Sequence, residues 1–108
     1  MKYKNTLQKG MVRYVVFKDG TDWYAVGLEF NIIESGTTPQ EAMLLLFEAV
    51  EGYVESAKKV KARPNILNQK SDKEYENLWR SGHEAKAQKR TLKDIFTVGE
   101  LNLARLRT

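Results

Sequence analysis

Residues 23–59 constrain this chain more than any other part of it. Two alternating β-type runs lead through Gly36 into Thr38-Pro39-Gln40-Glu41, and a long apolar stripe follows. Thr at the N-cap, Pro at the first helical position and Glu three residues after the cap together satisfy the orphan amides of a first turn, so a helix opens at Thr38. Within it Ala42, Leu45, Leu46, Ala49, Val50, Tyr53, Val54 and Ala57 recur at spacings of three and four, which places them on one face, the face that covers a sheet. Met43, Leu44 and Phe47 widen that face toward a second chain or the later part of this one, intrachain packing being the plainer use. Gly52 inside the helix hints at a close backbone approach. Basic residues Lys58, Lys59 and Lys61 complement the negative end of the helix dipole, and Arg63-Pro64 stops it.

Upstream, the β-branched and aromatic run at residues 12–17 is followed by Asp19-Gly20, a strong turn signal. Alternation resumes over residues 23–30, so the two runs pair as an antiparallel hairpin. A third short strand over residues 31–34 follows a turn or bulge near Phe30-Asn31 and ends at Ser35-Gly36, where Gly can take a positive φ. Downstream, residues 64–70 read as a loop, and Ser71-Asp72-Lys73-Glu74 repeats the capping-box pattern. The second helix begins near Asp72, carries Tyr75, Leu78, Trp79 and Gly82 on a narrow apolar side, and ends between Gly82 and Lys89. A late strand over residues 95–106, kinked at Gly99, adds to the sheet. The expected fold is α+β, in one domain over residues 1–108: a three-stranded antiparallel sheet with a long helix packed on it, a second helix and a late strand, in the order β-β-β-α-α-β.

Residues 1–60 hold seven Lys/Arg and eight Asp/Glu, whereas residues 61–108 hold eleven and six, so the net charge of +4 belongs to the second half. Such a basic half suits nucleic acid or an acidic partner; its plain alternative is a solvated helical face. The first ten residues are polar and basic, unlike a secretory signal or an anchor, and the longest apolar run, residues 42–47, is far below the ~20 residues that cross a bilayer. A cytoplasmic protein with no membrane partner is expected. With no cysteine there is no disulfide framework, thiolate zinc site or thiol nucleophile.

The single histidine, His83, lies beside Gly82 on a polar helix, where a surface role outweighs that of ligand or general base. No Ser occupies a nucleophile elbow, and Gly20, Gly27 and Gly36 are scattered singly rather than grouped to cradle phosphate. Neither cofactor nor catalytic residue is indicated. Asp19, Asp22 and Glu29 on or near the hairpin could gather a divalent metal for phosphoryl chemistry, although Asp beside Gly is also what a turn selects. Tyr75 and Trp79, with Arg80, Lys89 and Arg90 nearby, could stack bases, but their core spacing fits better with clipping the second helix onto the domain.

The string from Trp23 to Ala42, followed by the long helix, resembles the HicB-like antitoxin family over about residues 11–60. Tyr24 and Ala25 fit its Tyr-x-Ala strand, Gly36 and Thr38 its turn and cap, and Glu41 and Ala42 the opening of its amphipathic helix. The resemblance implies a partial ribonuclease-H-like arrangement. It also implies a non-enzymatic domain that sits on a small basic mRNA-cleaving toxin, as an antitoxin or as an orphan member without a toxin of its own. Residues 61–108 match neither DNA-binding extension of that family, and Phe30-Asn31-Ile32 stands where many relatives carry a Pro-Gly-Cys turn.

The leading expectation is therefore a protein-binding module, a homodimer or higher homo-oligomer, that masks its partner sterically and electrostatically. An acidic surface around Asp19, Asp22 and Glu29 faces the basic toxin, and unpaired sheet edges offer strand addition. The alternative is a nucleic-acid-associated protein whose Lys86, Lys89, Arg90, Arg105 and Arg107 contact phosphates. A metal-dependent nuclease using Asp19 and Asp22 is the third.

Overall fold

The computed structural model describes residues 4–90 and 92–105. Strands β1 (Met11–Asp19) and β2 (Asp22–Gly27) form the hairpin, turned at Gly20 with a φ of +67°, a conformation natural to glycine. A single 3-10 turn, Leu28–Phe30, closes on Asn31 in the left-handed region (φ 53°) and reverses the chain into β3 (Ile32–Gly36). Helix α1 (Pro39–Lys59) and helix α2 (Lys73–Ala87) precede the last strand, β4 (Ile95–Asn102).

The strand order is β3-β2-β1-β4, antiparallel throughout. The three-stranded sheet expected from the sequence is thus a four-stranded one, with the late strand paired against β1 from Met11↔Asn102 to Phe17↔Ile95. Gly99 does not kink it. The irregularity lies between Val16 and Phe17, where Phe96 is the extra residue on the β4 side. Tyr14 lies across Gly99 so closely that a Cβ there would fall 2.5 Å from its hydroxyl. The strand ends at Asn102, and a 3-10 turn, Leu103–Arg105, follows. The strand expected over residues 95–106 is therefore shorter, residues 103–105 being a 3-10 turn, and Leu106 lies outside the described residues.

Each face of the sheet carries one helix. Val12 and Val16 of β1 and Ala25 of β2 meet Ala42, Leu46, Val50, Val54 and Ala57 of α1 on one side. Val15, Phe17, Val26, Leu28 and Val98 form a second core on the other side, against Tyr75, Leu78 and Trp79 of α2. Because successive residues of a strand point to opposite faces, the stretch of a strand that is covered on both sides is apolar at consecutive positions. That explains the unbroken Val15-Val16-Phe17 run, all buried, in β1. Each fully buried Val or Leu contributes roughly 1.5–3 kcal/mol relative to exposure, so the two cores rather than helix propensity hold α1 and α2 in place.

Local geometry departs from expectation at several points. Thr38 Oγ1 accepts from the Glu41 amide at 3.1 Å as a cap should, yet the Glu41 carboxylate accepts from Thr37 N at 2.8 Å rather than from the cap residue itself. Gly36 has no positive φ; it is required because a Cβ would lie 2.7 Å from Glu41 Oε1 and 2.8 Å from Ala42 N, inside the first turn of α1. Gly52, by contrast, has open space around it. At α2 the N-cap Asp72 makes no side-chain cap, and Ser71 instead donates to Glu76.

Both helices end in the same motif. The amides of Lys61 and Ala62 donate to the carbonyls of Lys58 and Ala57, and those of Lys89 and Arg90 to Lys86 and Ala85. Lys61 (φ 50°) and Lys89 (φ 56°) occupy the left-handed position that glycine usually takes in this motif. A further polar clasp ties the N-terminal segment down: buried Asn5 donates through Nδ2 to Leu67 O at 2.8 Å, while its Oδ1 accepts from Met11 N at 2.8 Å. Asn68 Nδ2 donates to Asn5 O at 2.9 Å and completes it.

Candidate docking surfaces

The three carboxylates expected to form one acidic surface are divided by the fold. Asp19 and Asp22 face each other across the hairpin turn and are exposed. Glu29 follows the far end of β2, a strand of six residues at about 3.3 Å each, and so lies about 20 Å away. It is also engaged internally: Arg13 donates to it from its backbone amide at 2.8 Å and from Nε at 2.6 Å. The remaining guanidinium nitrogens of Arg13 donate to both oxygens of Glu76 at 2.8 Å. Hydrogen bonding from Glu76 raises the Arg13 pKa against the opposing effect of burial, and the same contact holds the Glu76 carboxyl below its ordinary range. Glu29 is a latch component, and the sequence hides this because its partner is sixteen residues away on a different strand.

Trp79 belongs to the same latch. Arg13 lies over its ring at 5.2 Å, His83 stacks on it at 4.7 Å, and Nε1 reaches Gly99 O at 3.4 Å. Tyr75 packs 6.1 Å from Phe17. Both rings therefore clip α2 to the sheet. No group of three His, Cys, Asp or Glu side chains that could hold a metal ion gathers among the described residues.

The surface row of α1 is a site that the sequence reading passed over. Glu41, Leu44, Glu48, Glu51 and Glu55 follow at spacings of three and four, and all are exposed. Leu44 is 59% exposed and its neighbour Leu45 37%, although Leu45 was expected in the covered stripe. The buried line runs 42, 46, 50, 54 instead, which turns Leu45 to the margin. Met43 and Phe47 pack inward, Phe47 edge-on to Tyr14 at 5.2 Å. Leu44 alone among the three widening residues keeps an outward apolar face. Because β3 ends at Gly36 opposite Trp23, α1 starts at the same end of the sheet as the Asp19–Asp22 turn. Asp19, Asp22 and Glu41 thus lie toward the same end of the sheet, and the row with Leu44 and Glu48 runs on from there along α1.

The basic residues are also divided. Lys86, Lys89 and Arg90 are exposed at the C-terminal end of α2, close to the start of β4, and Arg90 and Lys86 border a cavity of about 180 Å³ floored by Gly82, Ala85, Ile95 and Val98. Arg105 follows the other end of β4, about 25 Å away for a strand of eight residues. Arg107 lies outside the described residues.

Among the described residues no helix is long and apolar enough to cross a membrane. No family model matches the chain, and no curated protein or solved structure does so either.

Proposed function

We propose that this chain is a non-enzymatic protein-binding module that masks a small basic mRNA-cleaving toxin, in the manner of the HicB-like domains it resembles. The element order β-β-β-α-α-β and the helix roofing β2 and β3 support that reading and the partial ribonuclease-H-like arrangement that goes with it. The observation that carries it is the outer row of α1, where exposed Leu44 and Leu45 sit among Glu41, Glu48, Glu51 and Glu55. Apolar anchors inside an acidic rim suit a basic partner: desolvated leucines supply affinity, and the surrounding carboxylates supply orientation and a fast encounter. Asp19 and Asp22 extend the acidic rim at the hairpin end, while Glu29 is spent on Arg13.

Co-expression with the product of the adjacent reading frame tests this. The intact chain should co-purify with a small basic protein and relieve the growth arrest that protein causes. A chain that neither binds it nor restores growth would remove the antitoxin role. Phosphate contact by Lys86, Lys89 and Arg90 is the second reading, favoured by their common exposure beside α2, with Arg105 too distant to join them.

A further inference from the structure

β4 is an outermost strand; Leu92 bridges Ile95 at its first residue, and beyond that every second residue directs its backbone N–H and C=O away from β1. Beside the beginning of that edge lies the cavity between α2 and β4. Its floor is aliphatic and small, with Gly82 so tight against β4 that a Cβ there would fall 2.5 Å from Val98 Cγ1. Ala85, Leu92, Ile95 and Val98 line the cavity together with Phe96 and Thr97, and the Phe96 ring also meets Trp23 edge-on at 6.2 Å. Lys86 and Arg90 stand at its rim, and Lys89 and Lys93 follow in the same exposed stretch. None of these four cations takes part in an ion pair among the described residues.

We propose that this groove binds an extended acidic peptide, which adds to β4 as a fifth strand, seats one aliphatic side chain between α2 and β4, and sets its carboxylates against Lys86 and Arg90. Strand addition supplies main-chain hydrogen bonds, an adjoining pocket reads alternate side chains, and the charge rim selects the sign of the partner. An extended peptide uses all three features at once. A nucleic-acid strand would use the cations but neither the strand edge nor the aliphatic floor, and the one ring at the cavity, Phe96, is already engaged edge-on by Trp23. The site lies across the sheet from the outer row of α1 and is separate from it, so either can fail alone.

The test is fluorescence anisotropy of the intact chain with a labelled peptide about as long as β4, alternating glutamate with valine and leucine. Saturable binding is expected, weakened at least about tenfold by Lys86→Glu with Arg90→Glu, a pair of exposed positions whose replacement should leave the circular dichroism spectrum unchanged and lower the melting temperature only slightly, through the dipole of α2. Two further peptides, N-methylated on one or the other set of alternate amides, separate strand addition from charge attraction: one should lose binding and the other keep it. Absence of binding by the acidic peptide, equal binding by both N-methylated forms, or equal binding by a peptide with lysine in place of glutamate would overturn the proposal. So would displacement of the peptide by a uridine octamer whose own affinity falls on the same charge reversal, since that would assign the groove to nucleic acid.

Discussion

Glu76 on α2 grips Arg13 on β1 with both carboxylate oxygens, each 2.8 Å from a terminal guanidinium nitrogen, and so ties the second layer of the molecule to its central strand. Glu29 closes the same arginine from the other side. Paired charges of this kind are strongest when bidentate, and a partner left alone is costly.

Arg13→Met should therefore destabilise the protein by about 2 kcal/mol, toward the lower part of the range for such pairs, because the three side chains retain 19–31% of their exposure. Arg13→Lys should recover little of the loss, since an ammonium cannot match the planar fork. Urea denaturation of the two variants checks both statements, and tryptophan fluorescence should report the disturbance because Arg13 lies over Trp79.

The same contact sets a dependence on acid. Arg13, helped by Ser71 and Arg80, lowers the Glu76 pKa beneath its ordinary 4.5, against a smaller opposing effect of burial. With the folded value depressed, the unfolded chain binds the proton more readily, so the latch contributes in full above about pH 4.5 and is lost as pH falls through the lower folded value. Stability measured from neutral pH down to about pH 3 should fall more steeply in the native protein than in Glu76→Gln, which lacks this titration. Parallel slopes would contradict the assignment.

Two helical glycines should respond oppositely to alanine. Gly52 has no neighbour within 4 Å of a new Cβ, so Gly52→Ala should stabilise by about 1 kcal/mol through helix propensity alone. Gly82→Ala gains the same propensity but sets a methyl 2.5 Å from Val98 Cγ1 and 3.2 Å from Ile95 Cγ2. Forcing those short side chains apart costs about 1–3 kcal/mol, so the net effect should be destabilising. Thermal melts of the pair, moving in opposite directions, are the check.

Lys61 and Lys89 hold left-handed backbone at the two helix ends. A non-glycine residue there costs about 1–2 kcal/mol, partly offset by the extra freedom glycine gives the unfolded chain. Lys61→Gly and Lys89→Gly should each stabilise by about 0.5–1 kcal/mol, and their effects should add because the sites are independent. Differential scanning calorimetry of the single and double variants measures this.

These residues mark where the sequence is readable and where it is not. Thr38, Pro39 and Glu41 speak locally, so the start of α1 follows from four adjacent residues. Asp19-Gly20 places the hairpin for the same reason. The end of α1 is marked by Arg63-Pro64, whereas that of α2 is obscured because Lys89 stands where glycine would announce it. The Asn5 clasp and the use of Glu29 depend on partners 62 and 16 residues distant, respectively, and periodicity carries no trace of such pairs. The opposed placement of α1 and α2 is hinted at only by the uninterrupted apolar run of β1. Exposure of Leu44 and Leu45 depends on the rotation of α1 over the sheet, which a stripe of eleven apolar residues cannot specify.

Titration calorimetry of the chain against the small basic product of its neighbouring reading frame, with Leu44→Arg plus Leu45→Arg compared with Lys86→Glu plus Arg90→Glu, tests the docking face directly. All four positions are exposed, so neither double variant should disturb the fold. The account requires tight binding by the native chain, a loss of at least about tenfold in the leucine variant and an unchanged affinity in the basic-residue variant. A leucine variant that binds as tightly as the native chain would contradict it.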